Sequence, residues 1–115
     1  MLFLMGIRFD LDELEELVLL VVASLGDEAY GVRVRDALDA QAGRSVTLSS
    51  VHAVLHRLQK KGFLTSSVGG ATAARGGRRK RFFTLTAAGF AAIRQRQQLR
   101  RDLWLQIPNL GLGYD

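Results

Sequence analysis

The sequence predicts a mainly α-helical domain that carries one small β-hairpin, followed by a further helix at its C-terminal end. Apolar residues recur at helical spacing in four segments, which are separated by glycines or by residues that cap helices. Between the third and fourth segments, two β-prone runs flank a glycine-rich stretch. A chain of 115 residues can bury one core, and a single domain is the default at this length.

The charge of the chain is strongly one-sided. The formal net charge is +5, yet between Asp39 and Asp102 there are thirteen Lys and Arg residues and no Asp or Glu. Such a polycationic segment is typical of proteins that bind a phosphate backbone. The chain has no cysteine and only two histidines, which excludes disulfides and thiolate catalysis and leaves too few ligands for a closed zinc site. We therefore expect no cofactor, no metal and a reducing, cytoplasmic setting.

Residues 1–9 are predicted to be an N-terminal extension. They begin with an apolar run but lack a basic leader and a cleavage signal, and Arg8 and Asp10 interrupt the run. This pattern argues against a signal peptide or a membrane span, so no membrane partner is expected.

The first helix is predicted from Leu11 to Leu25, where Gly26 ends it. Asp10, three residues before Glu13, resembles a capping box. From Leu17 to Ala23 the helix is apolar around nearly its whole circumference, which predicts burial on two sides. A second copy of the chain is the simplest partner for the second side.

A second helix is predicted from Tyr30 to Ala42, with Gly43 as its stop. The third begins after Thr47, a suitable N-cap, and ends at Gly62. Its apolar stripe comprises Leu48, Val51, Leu55 and Leu58. The opposite face comprises Ser49, Ser50, Ala53, His56, Arg57 and Lys60. A solvated face normally mixes both signs of charge, whereas this face has no acid, so we favour a helix that enters a DNA groove over a merely solvated one.

The hairpin is predicted to have a strand from Phe63 to Val68, a loop over 69–79 and a strand from Lys80 to Leu85. The basic residues at its tip are predicted to contact DNA, with glycines that let the backbone approach closely. These basic residues are Arg75, Arg78, Arg79 and Lys80, in a cluster that runs on to Arg81. The alternative is a solvated loop that keeps a strand edge soluble. Phe83 and Leu85 are predicted core residues, and Phe82 lies on the other face of the strand.

Thr86 is predicted to cap a fourth helix that continues to about Gln106, before Pro108. This helix is rich in arginine, whereas five of the eleven acids lie between Asp10 and Glu16. The first and fourth helices are therefore complementary in charge, which supports a dimer built from both.

Three helices followed by a two-stranded wing is the element order of a winged helix-turn-helix domain. The chain also resembles the PadR-type transcriptional regulators with a short C-terminal helix. The resemblance is carried by Leu14 to Leu20, Glu28 to Val32, Leu55 to Gly62, Gly76 to Phe83, and Leu85 to Gly89. It implies a DNA-binding domain over 10–86, a dimerisation helix over 87–107 and a tail over 108–115. It also implies a homodimeric repressor that binds an inverted repeat in duplex DNA and responds to a small molecule.

One feature departs from the family pattern, and a second bears on ligand binding. His52 and Ala53 stand where the family usually has a Tyr-Pro pair, so base preference cannot be carried over. In drug-sensing relatives a Trp on the fourth helix stacks flat aromatic ligands, which makes Trp104 a candidate effector contact. Because Trp104 falls about one turn later, we favour an anchoring role in the dimer over a ligand platform.

Other functions remain as alternatives. The same polycation suits an architectural or RNA-binding module, although such modules usually expose aromatic platforms that this pattern assigns to the core. A protein-interaction module on the same scaffold is a further alternative. An enzyme is not expected, since no nucleophile and base occur at a recognisable spacing. The histidines His52 and His56 have the spacing of a metal clamp but lack carboxylate partners nearby, so a base or phosphate contact is favoured for His56.

Overall fold

The computed structural model describes residues 10–69 and 79–109. In chain order the elements are α1 (Glu13–Leu25), a 3₁₀ turn (Gly26–Glu28), α2 (Gly31–Ala42), α3 (Leu48–Lys60), β1 (Leu64–Gly69), β2 (Lys80–Leu85) and α4 (Ala87–Leu105). This confirms the predicted mainly helical fold with one antiparallel hairpin, apart from shifts of one or two residues at several ends. In the described ranges, none of these helices combines the length and apolar character that crossing a bilayer requires.

The first turn of α1 is fixed by a capping box two residues later than predicted. The side chain of Asp12 accepts a hydrogen bond from the backbone N–H of Glu15 at 2.8 Å, and the Glu15 carboxylate accepts one from the N–H of Asp12 at 2.9 Å. The predicted pair of Asp10 and Glu13 is therefore wrong. The same spacing occurs twice in succession, and in the later pair Glu15 also contacts Arg57 and Lys61 at the C-terminal end of α3.

Helix α1 occupies the centre of the domain and packs against α2, α3, β2 and α4. Val18, Leu19 and Val22 are almost completely buried within the single chain, whereas Leu20 is 40% exposed. The apolar circumference from Leu17 to Ala23 is thus largely covered by the chain's own elements. Its burial does not by itself require a second subunit.

The end of α2 and the start of α3 lie at the signals read from the sequence, whereas α3 ends at Lys60, two residues before the predicted Gly62. Gly43 takes up a left-handed conformation, with φ of 63°, and ends α2. The Thr47 hydroxyl accepts a hydrogen bond from the N–H of Ser50 at 3.1 Å and begins α3. The inner face of α3 is formed by Val51, Val54, Leu55 and Leu58, and Leu48 is only partly buried. The two helices cross closely, because a Cβ at Gly31 would lie 2.6 Å from Cε1 of His52.

The hairpin is attached to the helical core through β2. The strands pair in register from Leu64 opposite Leu85 to Gly69 opposite Lys80. Phe83 donates its backbone N–H to the carbonyl of Ala29 at 2.8 Å, next to an isolated bridge between Tyr30 and Phe82. Phe83 and Leu85 are buried, which confirms their predicted place in the core. Phe82 is half-buried and packs edge-on against the Tyr30 ring, with ring centroids 5.5 Å apart.

The start of α4 is fastened to the turn between α3 and β1. The Thr86 hydroxyl donates to the carbonyl of Gly62 at 2.7 Å and accepts from the N–H of Gly89 at 3.0 Å. A Cβ at Gly89 would overlap the carbonyl oxygen of Phe63, so only glycine allows this approach. The Leu-Thr-x-x-Gly segment therefore docks α4 onto the hairpin.

Candidate nucleic-acid interface

The predicted reading face of α3 is open to solvent. Each of its six predicted residues is exposed: Ser49, Ser50, Ala53, His56, Arg57 and Lys60. At the N-terminal end of the helix the hydroxyls of Thr47, Ser49 and Ser50 form a cluster, with 2.9 Å between those of Thr47 and Ser50. Small hydrogen-bonding groups and helix N–H groups thus lie at one end, and cations lie at the other.

A groove of about 900 Å³ separates the second half of α3 from the hairpin. It is lined by Ala53, His56, Arg57, Gln59, Lys60 and Arg81. None of these lining residues is acidic, so among the described residues the groove is a positive concavity between helix and wing. Such a surface attracts an extended polyanion.

Two linked side-chain hydrogen bonds cross one wall of this groove. The Ser66 hydroxyl on β1 donates to the side-chain oxygen of Gln59 on α3 at 3.1 Å. The same hydroxyl accepts from the guanidinium of Arg81 on β2 at 3.0 Å. The helix and both strands of the wing are therefore linked through one serine. Arg81 ends the basic cluster that the sequence predicts to contact DNA. The sequence did not indicate Gln59 or Ser66, because nothing in their local spacing points to this contact.

Arg57 lies at the groove but directs its guanidinium toward α1. Its Nε donates to Oε2 of Glu15 at 2.7 Å, and its NH2 group lies 3.5 Å from the Asp12 carboxylate. Lys61 reaches the same Glu15 carboxylate at 2.9 Å and also donates to the carbonyl of Asp10. The Glu15 side chain is only 2% exposed. Hydrogen bonds and ion pairs thus hold the first turn of α1 against the C-terminal end of α3.

The protonation of this cluster follows from its contacts. Burial of Glu15 by itself favours the neutral acid, but hydrogen bonds from Arg57, the Asp12 backbone and Lys61 outweigh it, so the pKa of Glu15 lies below its ordinary value. The hydrogen bond to Glu15 is the main cause that raises the pKa of Arg57 above its ordinary value. The Glu15 carboxylate and the Arg57 guanidinium are therefore both charged at neutral pH.

At the base of the wing, Lys80 places Nζ 4.4 Å from the centre of the Tyr30 ring, in a cation–π contact. Arg79 is exposed. Arg75 and Arg78, the other predicted wing contacts, lie outside the described residues. Of the four predicted wing cations, the structure describes Arg79 and Lys80, and neither of them lines the groove.

Trp104 lies on α4 away from this groove and is 57% exposed. It lines a second, open groove of about 450 Å³ with Glu16, Leu20, Gln97, Arg100 and Arg101. Arg100 lies 3.0 Å from the Glu16 carboxylate and Arg96 lies 3.6 Å from it, so the predicted charge complementarity of α1 and α4 occurs within one chain. Arg96 also donates to the carbonyl of Leu11.

The order of α1 to α4 with an intervening hairpin, and a basic groove between the third helix and that hairpin, match the winged helix-turn-helix architecture. A model of the PadR-like family of transcriptional regulators matches residues 18–95. The chain belongs to this family. The family comprises transcriptional regulators and not enzymes, which agrees with the non-enzymatic function expected from the sequence. A comparison of the sequence with curated proteins gave no match.

Solved PadR-like structures share the fold. A PadR-like regulator from Bacillus cereus is 20% identical, with 88% of this chain and 93% of that chain covered and a TM-score of 0.67. A PadR family regulator from Clostridium difficile is 21% identical, with 80% of this chain and 91% of that chain covered and a TM-score of 0.63. A PadR family regulator from Eggerthella lenta is 24% identical, with 79% of each chain covered and a TM-score of 0.59. At these identities the likeness establishes the architecture, and the residues of this PadR-like chain must be argued individually.

Proposed function

We propose that this PadR-like protein is a sequence-specific repressor that binds duplex DNA as a homodimer in the cytoplasm. The observation that carries the proposal is the positive groove between the exposed face of α3 and the hairpin. A helix with hydroxyls at its start and cations near its end suits insertion of that start into the major groove, with phosphates along the flanks.

The chemistry of each predicted contact residue determines which part of the DNA it is assigned to. Ser49, Ser50, Ala53 and His56 are assigned to base edges, since they are short or planar and exposed. Lys60 and Arg57 are assigned to phosphates, although the Arg57 charge is already compensated by Glu15. The wing residues assigned to the backbone or the minor groove are Arg75, Arg78, Arg79 and Lys80.

Homodimerisation is supported by the second half of α4. Leu99 is 55% exposed and Leu103 is 56% exposed, four residues apart on one face, and Leu20 of α1 is also exposed. This face continues the side on which Gly89 and Ala92 pack in the core. A continuous apolar strip that its own chain leaves uncovered is best buried against a second copy.

Trp104 is assigned an anchoring role at the edge of this dimer. A small aromatic effector that stacks on Trp104 in the second groove is the alternative, supported by the groove's mixture of aromatic and charged lining residues. Competition between candidate aromatic compounds and DNA, with Trp104→Ala as the control, distinguishes the two roles.

The proposal is tested by selecting sites from random duplexes and measuring their affinity at moderate salt. We expect an inverted repeat with half-site centres about 34 Å apart, one helical turn. Equal affinity for all duplexes would indicate an architectural module instead. Preference for single-stranded RNA, or no nucleic-acid binding, would contradict the proposal, and the latter would favour a protein-interaction module.

A further inference from the structure

The geometry points to Arg81 as a phosphate-binding residue inside the groove, positioned by Ser66 and Gln59 so that α3 and the wing hold the same DNA backbone. This inference rests on the proposed DNA-binding function. It goes beyond the predicted contact of the basic cluster with DNA, because it places Arg81 at the wall of the groove and names Ser66 and Gln59 as the residues that position it.

The strand geometry directs Arg81 toward α3. Side chains alternate along β2, and Arg81 shares a face with Phe83 and Leu85, both of which are buried against the helices. Arg81 is exposed, so the strand carries it past the edge of the core while keeping it on the helix-facing side. Its neighbours across the groove are His56 and Lys60 of α3.

The charge of Arg81 is available, unlike that of Arg57. Arg57 lies within 4 Å of two carboxylates, those of Glu15 and Asp12. Among the described residues, the side chain of Arg81 is hydrogen-bonded to the neutral hydroxyl of Ser66 and forms no ion pair. A phosphate between Arg81 and Lys60 would therefore meet two uncompensated cations from different elements.

The hydrogen bonds on Ser66 hold the guanidinium in place. A serine hydroxyl has one proton, and because it is donated to Gln59, the oxygen is left to accept from Arg81. Gln59 belongs to α3, so the recognition helix itself sets the position of a cation on the wing. Ser66 and Gln59 are positioning residues in this arrangement, and Arg81 is the contact.

The test compares Arg81→Gln and Ser66→Ala with matched controls on a random-sequence duplex of about 30 base pairs, roughly three helical turns. Arg94→Gln removes the same charge from the exposed outer face of α4, and Ser67→Ala removes a hydroxyl from the opposite face of β1. Affinity is measured over a range of salt concentrations, and thermal unfolding checks that each variant is folded.

We expect Arg81→Gln to weaken binding on the order of tenfold per contact at about 0.1 M salt, and to lower the slope of log affinity against log salt by about 1.8 for a dimer. Ser66→Ala should weaken binding about two- to tenfold with an unchanged slope, because the cation remains but is less well ordered. The two controls should stay close to the wild type.

Three other outcomes would overturn all or part of the inference. If the wild type binds the duplex and Arg81→Gln behaves like Arg94→Gln, or loses affinity without a change in slope, Arg81 is not a phosphate contact. If Ser66→Ala matches Ser67→Ala, the positioning role is wrong. If the wild type does not bind duplex DNA at all, the proposed function fails together with this inference.

Discussion

Arg57 on α3 donates a 2.7 Å hydrogen bond to Glu15 on α1, forty-two residues away in the chain. The pair makes Arg57, a predicted phosphate contact, also part of the scaffold that orients α3. Since Lys61 also binds Glu15, one buried carboxylate holds the last turn of α3 against the first turn of α1. Its neighbour Glu16 pairs with Arg96 and Arg100 of α4. Helix α1 thus connects α3 to α4 through two adjacent acids.

Glu15→Gln should destabilise the fold by about 2 kcal/mol, since hydrogen bonds to charged groups are worth about 1.5–3 kcal/mol and the exposed partners recover some hydration. The measurement is denaturant unfolding followed by circular dichroism. Glu13→Gln is the matched control on the same turn, because its carboxylate is 75% exposed and pairs only with Arg44 among the described residues. That change should cost less than about 0.5 kcal/mol. Equal effects of the two substitutions would contradict the structural role of Glu15.

The Glu15 cluster should also make stability depend on pH. The folded-state pKa of Glu15 is depressed below its ordinary value of 4.5, so its contribution is fully present above about pH 4.5 and is lost as pH falls through the folded-state pKa. The difference in unfolding free energy between wild type and Glu15→Gln should therefore shrink on going from pH 6 to about pH 3. A difference that stayed constant over this range would show that the carboxylate charge is not what stabilises the contact.

Gly89→Ala should destabilise the protein by about 2 kcal/mol or more, despite the better helix propensity of alanine, because the new methyl group meets the Phe63 carbonyl. Gly31→Ala provides a comparison within a helix. There the added Cβ meets the flexible His52 side chain, which can move, so the cost should be below about 1 kcal/mol. Thermal unfolding of both variants measures the difference, and the reverse order would argue against the close approach at Gly89.

Leu103→Glu should dissociate the proposed dimer. The substitution places a charge on the apolar strip that includes Leu99, so burying it against a second copy would be costly. Leu105→Glu is the control, because Leu105 is similarly exposed but lies about 160° away around the helix. Sedimentation at micromolar concentration should show twice the chain mass for the wild type and the control, and the single mass for Leu103→Glu. A monomeric wild type would exclude the dimer.

Replacing Arg78, Arg79 and Lys80 together with Ala should leave the domain folded and flatten the salt dependence of DNA affinity. Six such side chains in a dimer would remove up to about 5 from the slope, at about 0.9 for each phosphate contact. A smaller change is expected if Lys80 stays on the Tyr30 ring, where it stabilises the base of the wing. A variant that kept both affinity and slope would remove the tip of the wing from the DNA-binding surface.

Much of the architecture could be predicted from local signals. Thr47 and Thr86 cap their helices as expected, and Gly43 ends α2 in the left-handed conformation that glycine tolerates. Capping depends on groups within three or four residues, so the sequence contains the necessary information. Where two local solutions competed at the start of α1, the sequence alone selected the wrong one.

The sequence by itself determined the order of the elements, the ends of most helices, the core positions of Phe83 and Leu85, and the excess of positive charge on the segment that forms α3 and the wing. Only the tertiary structure decided which of these cations are paired with a carboxylate and which are not. Arg57 and Arg81 have the same charge, but Arg57 meets Glu15 across forty-two residues, whereas Arg81 meets the uncharged hydroxyl of Ser66. The physical reason is that residue spacing determines which side chains share one face of an element. The neutralisation of a charge depends on which elements pack together, and that is settled only when the core between them forms.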